Sequence, residues 1–207
     1  MKTVTWGERS LTPTKLVCVG RNYVKHIEEL NNPVPRELVL FNKPNSSLGE
    51  SLVAPQERCR FETEIIFLME GGKPVAVGLG LDLTLVEVQQ RLKESRLPWE
   101  KAKAFDGAAV VSPFVDLPEN WGNLWLQLEI NGDIRQKGGV AEMIHKPEQI
   151  LAEVQRHFTL ADGDLVMTGT PHGVGDLVVG DVFEASLWNG DTCFLKQSWT
   201  VEASEAH

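Results

Sequence analysis

Residues 60–69 read Arg-Phe-Glu-Thr-Glu-Ile-Ile-Phe-Leu-Met, a run that alternates at first and then becomes continuously apolar. Alternation marks a strand with one wet face, and an unbroken apolar run marks a strand covered on both. The segment therefore predicts a strand whose far end lies inside the core. The turn Gly71-Gly72-Lys73-Pro74 sends the chain back along Val75-Ala76-Val77-Gly78-Leu79, giving that strand a neighbour.

Upstream, the turn Thr12-Pro13-Thr14 leads into Lys15-Leu16-Val17-Cys18-Val19, an apolar strand ended by Gly20. Leu38-Val39-Leu40-Phe41 is another, and the polar stretch from Asn42 to Glu50 reads as loop. Downstream, Leu124 to Gln136 alternates around Asn131-Gly132, and Phe183 to Trp199 around Asn189-Gly190. Asn-Gly is favoured in type I′ turns, so both are hairpins. Asp164 to Met167 is one more strand. Thr84-Leu85-Val86-Glu87 has the form of a capping box, with Leu85, Val88 and Leu92 at helical spacing, so a helix should start at Thr84 and fade by Pro98. Pro147 followed by Ile150, Leu151, Val154 and Phe158 marks a second, amphipathic helix. The expectation is an α+β, β-dominated fold, with residues 1–14 an irregular lead-in and residues 15–207 a single domain.

The chain has 207 residues, 42% hydrophobic and 24% charged, which suits a soluble packed protein and argues against long disorder. Its 29 acidic against 20 basic side chains, a net charge of -9, argue against nonspecific nucleic-acid or anionic-membrane binding. Cys18, Cys59 and Cys193 lack the spacing of a zinc site and read as free thiols in a reducing compartment. No secretory h-region and no membrane-length apolar run is visible, so the expected location is cytoplasmic.

Glu62 and Glu64 alternate on a strand, so their carboxylates project from one face, roughly 7 Å apart between Cα atoms. Such a pair suits a solvated strand face, or a hard cation such as Mg²⁺, Mn²⁺ or Ca²⁺ that removes its repulsion. The spacing alone favours the solvated face, and the apolar run that follows weakens that reading because it suggests a strand entering the core. Asp82, alone among apolar residues, is available as a third ligand, since a buried carboxylate needs a partner. His26 and Glu29, three residues apart, share one side of a helical turn, which fits a general base oriented by a carboxylate but, taken alone, fits an acidic surface turn better. Lys103 could neutralise an anionic substrate or pair with Asp106. Residues 168–175, Thr-Gly-Thr-Pro-His-Gly-Val-Gly, form a glycine-rich loop without a P-loop ending, able to offer backbone N–H groups and the Thr170 hydroxyl to a carboxylate, or simply to turn the chain.

Taken together and in order, these segments resemble the fumarylacetoacetate hydrolase family. Gly20-Arg21-Asn22-Tyr23 with His26 and Glu29 is similar to its G-x-N-Y-x-x-H-x-x-E segment. Phe61-Glu62-Thr63-Glu64 is similar to its paired metal glutamates, and Leu81-Asp82-Leu83-Thr84 to the segment with its third ligand. Lys103 and Asp106 fit its K-x-x-D, and residues 168–175 its TGTP-x-GVG loop. The resemblance implies a mixed β-sandwich roll, usually a homodimer. It also implies a Mg²⁺ or Mn²⁺ site that chelates the carboxylate and keto oxygens of a small 2-oxo acid and stabilises its enolate.

By the same resemblance His26 and Glu29 would activate water, Lys103 and Thr170 would bind carboxylate or enolate, and Arg21, Tyr23 and Gln89 would line the substrate. Two departures stand out. Val86 replaces an arginine of the family pattern, removing a bidentate carboxylate clamp, and the stretch between Glu64 and Asp82 lacks a helix. The leading expectation is metal-dependent C–C cleavage of an acylpyruvate or of oxaloacetate. Keto-enol tautomerisation or isomerisation with the same site is the alternative, and Val86 motivates a third, a keto-acid-binding protein without turnover.

Overall fold

From Thr63 to Met69 every residue is buried, and successive side chains divide between two cores. Ile65, Phe67 and Met69 belong to one, Ile66 and Leu68 to the other. A strand covered on both faces belongs inside a sheet rather than at its border. A computed structural model, which describes residues 1–204 apart from 31, 32 and 34, shows that sheet. The Thr63–Glu70 strand lies antiparallel to Lys73–Asp82 on one side and to Leu165–Met167 on the other. Leu165–Met167 runs parallel to Lys15–Gly20, which pairs in turn with Val39–Pro44. Ala109–Val111 and Val115–Asp116 on the far side of Lys73–Asp82 complete seven strands.

The two hairpins, Leu124–Ile130 with Asp133–Gly139 and Val182–Asn189 with Thr192–Thr200, join into a four-stranded antiparallel sheet. Leu126, Leu128, Phe183 and Leu187 from that sheet share the first core with Ile65, Phe67 and Leu79. Each such side chain removed from water contributes about 1.5–3 kcal/mol. Phe61 and Phe183 meet edge to face at 4.9 Å between centroids. The second core needs its own cover, and the N-terminal residues supply it: Val4, Trp6 and Leu11 pack there. For that reason residues 1–14 are not irregular but carry a small hairpin, Val4–Trp6 against Arg9–Leu11.

Strands hold 45% of the residues and helices 19%, an α+β, β-dominated roll with a curled sheet. The α-helices among the described residues are α1 (Val24–Glu29), α2 (Val86–Glu94), α3 (Glu100–Lys103) and α4 (Pro147–His157). Helix α4 is the amphipathic helix expected from sequence, with Pro147 in its first turn and Ile150, Leu151 and Val154 buried.

Three local expectations need correction. Thr84 is not a helix cap: it forms a short strand with Leu85 against Cys59–Phe61, its hydroxyl makes no hydrogen bond, and α2 begins at Val86. Sheet pairing outweighs the capping pattern there. Asn42, Lys43 and Pro44 are not loop but continue the Val39–Pro44 strand, Asn42 opposite Val17 and Lys43 opposite Leu16. In the second hairpin Asn189 pairs with Thr192, which moves the two-residue turn onto Gly190-Asp191. The first hairpin turns at Asn131-Gly132, with φ of 53° and 87°. No helix among the described residues is long and apolar enough to cross a membrane.

Candidate active site

Sheet register assembles the carboxylates. Glu64 lies opposite Gly80, and the Asp82 N–H donates to the Glu62 carbonyl at 2.8 Å, so the ends of two neighbouring strands bring three acids together. Glu62 occupies the break between Cys59–Phe61 and Thr63–Glu70. One oxygen from each of Glu62, Glu64 and Asp82 lies within 4.8 Å of the others. Their exposures of 8%, 1% and 1% rule out a solvated strand face.

Two buried ammoniums face these carboxylates. Lys103, at the end of α3, donates to Glu62 Oε2 at 2.8 Å and to Asp82 Oδ2 at 2.7 Å. It does not take up the Asp106 pairing allowed by the sequence, and Asp106 is exposed. Lys43 is fully buried with Nζ 2.8 Å from Asp82 Oδ1. Its three protons are directed to the carbonyls of Leu83, Lys103 and Ala108, so this contact is an ion pair and Oδ1 receives no hydrogen bond.

Burial works to raise the Glu62 carboxyl, but Lys103, His26 and Arg60 outweigh it and hold it at about 2. Glu64 is pushed well above the usual carboxylate range by burial, then by the charges of Asp82 and Glu62, against a hydrogen bond from Gly169. For Lys103 burial favours the neutral amine, yet Asp82 and Glu62 prevail and keep it charged. Three carboxylates face two ammoniums, an excess of one acid, and one Asp82 oxygen has no hydrogen-bond partner. An all-oxygen, net-negative, buried donor set fits a hard divalent cation such as Mg²⁺ or Mn²⁺.

His26 and Glu29 form a pair of their own. On α1, His26 is buried, Nδ1 lies 3.3 Å from Glu29 Oε2, and the imidazole is close enough for its charge to act on Glu62. Asn22 fixes the approach to this helix: its side chain donates to the carbonyls of His145 and Thr168 and accepts from the His145 N–H.

The loop at residues 168–173 serves both groups. Gly169 N–H donates to Glu64 Oε2 at 2.8 Å, and Gly173 N–H to the Glu29 carboxylate at 3.1 and 3.2 Å. Both glycines have positive φ, +95° and +96°, and a Cβ on Gly173 would lie 1.8 Å from the Arg135 carbonyl oxygen. These N–H groups therefore hold the protein's own carboxylates. Thr170 is likewise engaged internally, donating to the Thr63 carbonyl and accepting from Gln136.

Of the remaining expected residues, Gln89 is buried on α2 and Arg21 lies 6.0 Å from the Trp99 ring. Tyr23 is buried with an unpartnered hydroxyl, and it lines a cavity of about 260 Å³ that the triad does not line. Val86 is half-buried at the start of α2. Sequence reasoning missed Lys43 and Gln136, and located Asn22 in a motif without giving it a role.

Residues 75–204 match the profile of the fumarylacetoacetate (FAA) hydrolase C-terminal domain. An oxaloacetate tautomerase of Escherichia coli is 42% identical over 187 residues, covering 81% of this chain and 85% of that one. The chain belongs to the fumarylacetoacetate hydrolase family. It is an enzyme of that family, whose matched members are named as hydrolases, isomerases or tautomerases. A mitochondrial oxaloacetate tautomerase of Schizosaccharomyces pombe is 34% identical over 194 residues, 84% of this chain and 88% of that one. A family structure, fumarylpyruvate hydrolase from Pseudomonas aeruginosa in complex with Mn²⁺ and pyruvate, superposes with a TM-score of 0.86 at 26% identity, over 98% of this chain and 96% of that one.

Proposed function

We propose that this chain is a Mg²⁺- or Mn²⁺-dependent enzyme of 2-oxo acids that carry a second carbonyl, and that it interconverts the keto and enol forms of oxaloacetate. The observation that carries the reading is the buried triad of Glu62, Glu64 and Asp82, tied through one loop to the His26–Glu29 pair. The relatives named as oxaloacetate tautomerases move tautomerisation ahead of the cleavage ranked first from sequence.

Glu62, Glu64 and Asp82 would hold the cation. When bound, it supplies Lewis-acid polarisation of the 2-keto oxygen and offsets negative charge that develops there. Glu29 accepts from His26 Nδ1–H, which fixes the tautomer and leaves Nε2 as the basic lone pair. Nε2 would take a proton from C3 of the keto form and, as an imidazolium stabilised by Glu29, give a proton to the 2-oxygen to complete the enol, the two transfers running backwards in the reverse direction. Lys103 keeps Glu62 ionised, pairs with Asp82 and would add positive charge beside the enolate. Arg21 and Gln89 would contact the substrate, whereas Tyr23, on a separate cavity, would set the start of the helix that carries His26. Thr170, its hydroxyl proton already engaged, would act through its main chain. The enzyme is proposed to be cytoplasmic, consistent with three free thiols, and a homodimer by family resemblance.

The Mn²⁺–pyruvate complex of a fumarylpyruvate hydrolase favours a second reading on the same site, in which His26 and Glu29 activate water against the distal carbonyl and a C–C bond breaks. Val86 keeps keto-acid binding without turnover as a third. The test follows enol oxaloacetate by ultraviolet absorbance with Mg²⁺ or Mn²⁺, then with excess chelator, and assays pyruvate in the same samples. Loss of the enol signal without pyruvate, abolished by chelator and by His26→Ala with metal affinity unchanged, is expected. Pyruvate release matching substrate loss establishes cleavage instead, and an active His26→Ala variant refutes the base.

A further inference from the structure

Val86, Gln89 and Lys93 stand at i, i+3 and i+7 on α2 and so form one stripe along the helix. Gln89 is buried, and Lys93 comes four residues later, roughly 6 Å further along the axis. Lys93 is half-buried with Nζ 5.2 Å from the centroid of the Trp99 ring, the same ring that Arg21 flanks from 6.0 Å. Arg60, also half-buried, lies opposite Thr84 at the end of the strand pair that precedes α2.

These cations crowd one another. Burial, then the charges of Arg21 and Lys103, with a smaller effect from Arg60, push the Lys93 ammonium down to about 8, against the pull of Glu62. Glu62 feels Arg60 as well, but Lys103 holds its Oε2. Among the described residues neither Lys93 nor Arg60 forms an ion pair. Half-buried like charges without a counter-ion are unfavourable, and an anion placed between them relieves this. With a divalent cation in the triad, the charges of that cation, Lys43 and Lys103 already exceed those of the three carboxylates. A 2-oxo acid with a single carboxylate would leave Lys93 and Arg60 uncompensated.

We infer that Lys93 and Arg60 bind the distal carboxylate of the substrate, and so select 2-oxo dicarboxylates over 2-oxo acids with a neutral far end. The inference rests on the keto-acid reading of the triad and deepens it. The arginine absent at position 86 is replaced in function from two other points, one two turns along the same helix and one on the neighbouring strand.

The test uses a matched pair of 2-oxo acids that lack an enolisable C3 hydrogen, so that tautomerisation is blocked, and binding is read before the dianion, a β-keto acid, loses carbon dioxide. In 2-oxo-3,3-dimethylsuccinate the far end is a carboxylate; in 3,3-dimethyl-2-oxobutanoate it is a methyl group. Titration of the Mg²⁺-loaded protein should show the dianion binding at least about tenfold more tightly, the scale of one charge-assisted contact. Lys93→Met and Arg60→Gln should each cut that preference several-fold and the double variant remove it, with binding of the monoanion unchanged. Lys93→Arg should restore most of it. A preference untouched in the double variant, or equal losses for both ligands, overturns the inference while leaving the keto-acid site standing. Failure of both ligands to bind the wild type overturns the site reading and this inference together.

Discussion

Lys43 offers the sharpest test of the electrostatics behind the triad. Its side chain is fully buried, its ammonium donates to three backbone carbonyls, and Asp82 Oδ1 lies 2.8 Å away. Lys43→Met keeps the length and bulk of the stem but removes the charge and all three donors. It leaves three carbonyls without these donors and a buried carboxylate short of its counter-ion. Breaking a buried pair from one side costs about 3–5 kcal/mol. For a chain of this size each kcal/mol lowers the melting temperature by about 2–4 °C, so a loss on the order of 10 °C is expected. Urea unfolding of chelator-treated protein measures the free energy directly. Asp82→Asn in the Lys43→Met background should cost less than in the wild type, because the unpaired charge is already there. A loss below about 1 kcal/mol, the scale of an exposed pair, or strictly additive costs, would refute the reasoning.

Gly169→Ala should destabilise the protein by about 1–3 kcal/mol, since φ is +95° and the added Cβ would approach Asn22 Cβ to 2.8 Å, with chemical denaturation as the check. Asp164 has a carboxyl held below the usual range: burial opposes this, but Lys15, Thr14 and the Ala161 N–H outweigh it. A depressed folded pKa contributes stability that is complete above the unfolded value and lost as pH falls through the folded one. Asp164→Asn should therefore lower the urea midpoint at pH 6, and the difference should shrink as pH drops below about 4. Adding Mg²⁺ to chelator-treated protein should raise the melting temperature, by the equivalent of about 2.7 kcal/mol at a hundredfold excess over the dissociation constant. Glu64→Gln should abolish most of that rise.

What was legible in the sequence shares one property: it is written within a few residues. Ile65 to Met69 announce two-sided burial because strand neighbours alternate faces, and His26 with Glu29 announces a pair because one helical turn brings them together. Lys43 was illegible for the opposite reason. It sits in a polar run that looks like loop, and its partners come from residues 82, 83, 103 and 108, which only the folded sheet brings together. Thr84 misled because a local capping pattern coincides with a strand whose partner, Cys59–Phe61, lies far upstream. The glycine-rich loop was located from sequence, but the target of its N–H groups was not. Glu64 and Glu29 take them, and both are over a hundred residues away.

That loop has a spectroscopic consequence. The amides of Gly169 and Gly173 are four residues apart, yet one is bonded to a member of the carboxylate triad and the other to the partner of the histidine. Their proton frequencies and exchange rates report on the two halves of the site separately, from a single short span of labelled backbone. Titrating a divalent cation should move the Gly169 signal first, whereas a ligand that engages His26 should move Gly173. The order in which the two resonances respond would reveal whether the halves assemble independently or as one unit.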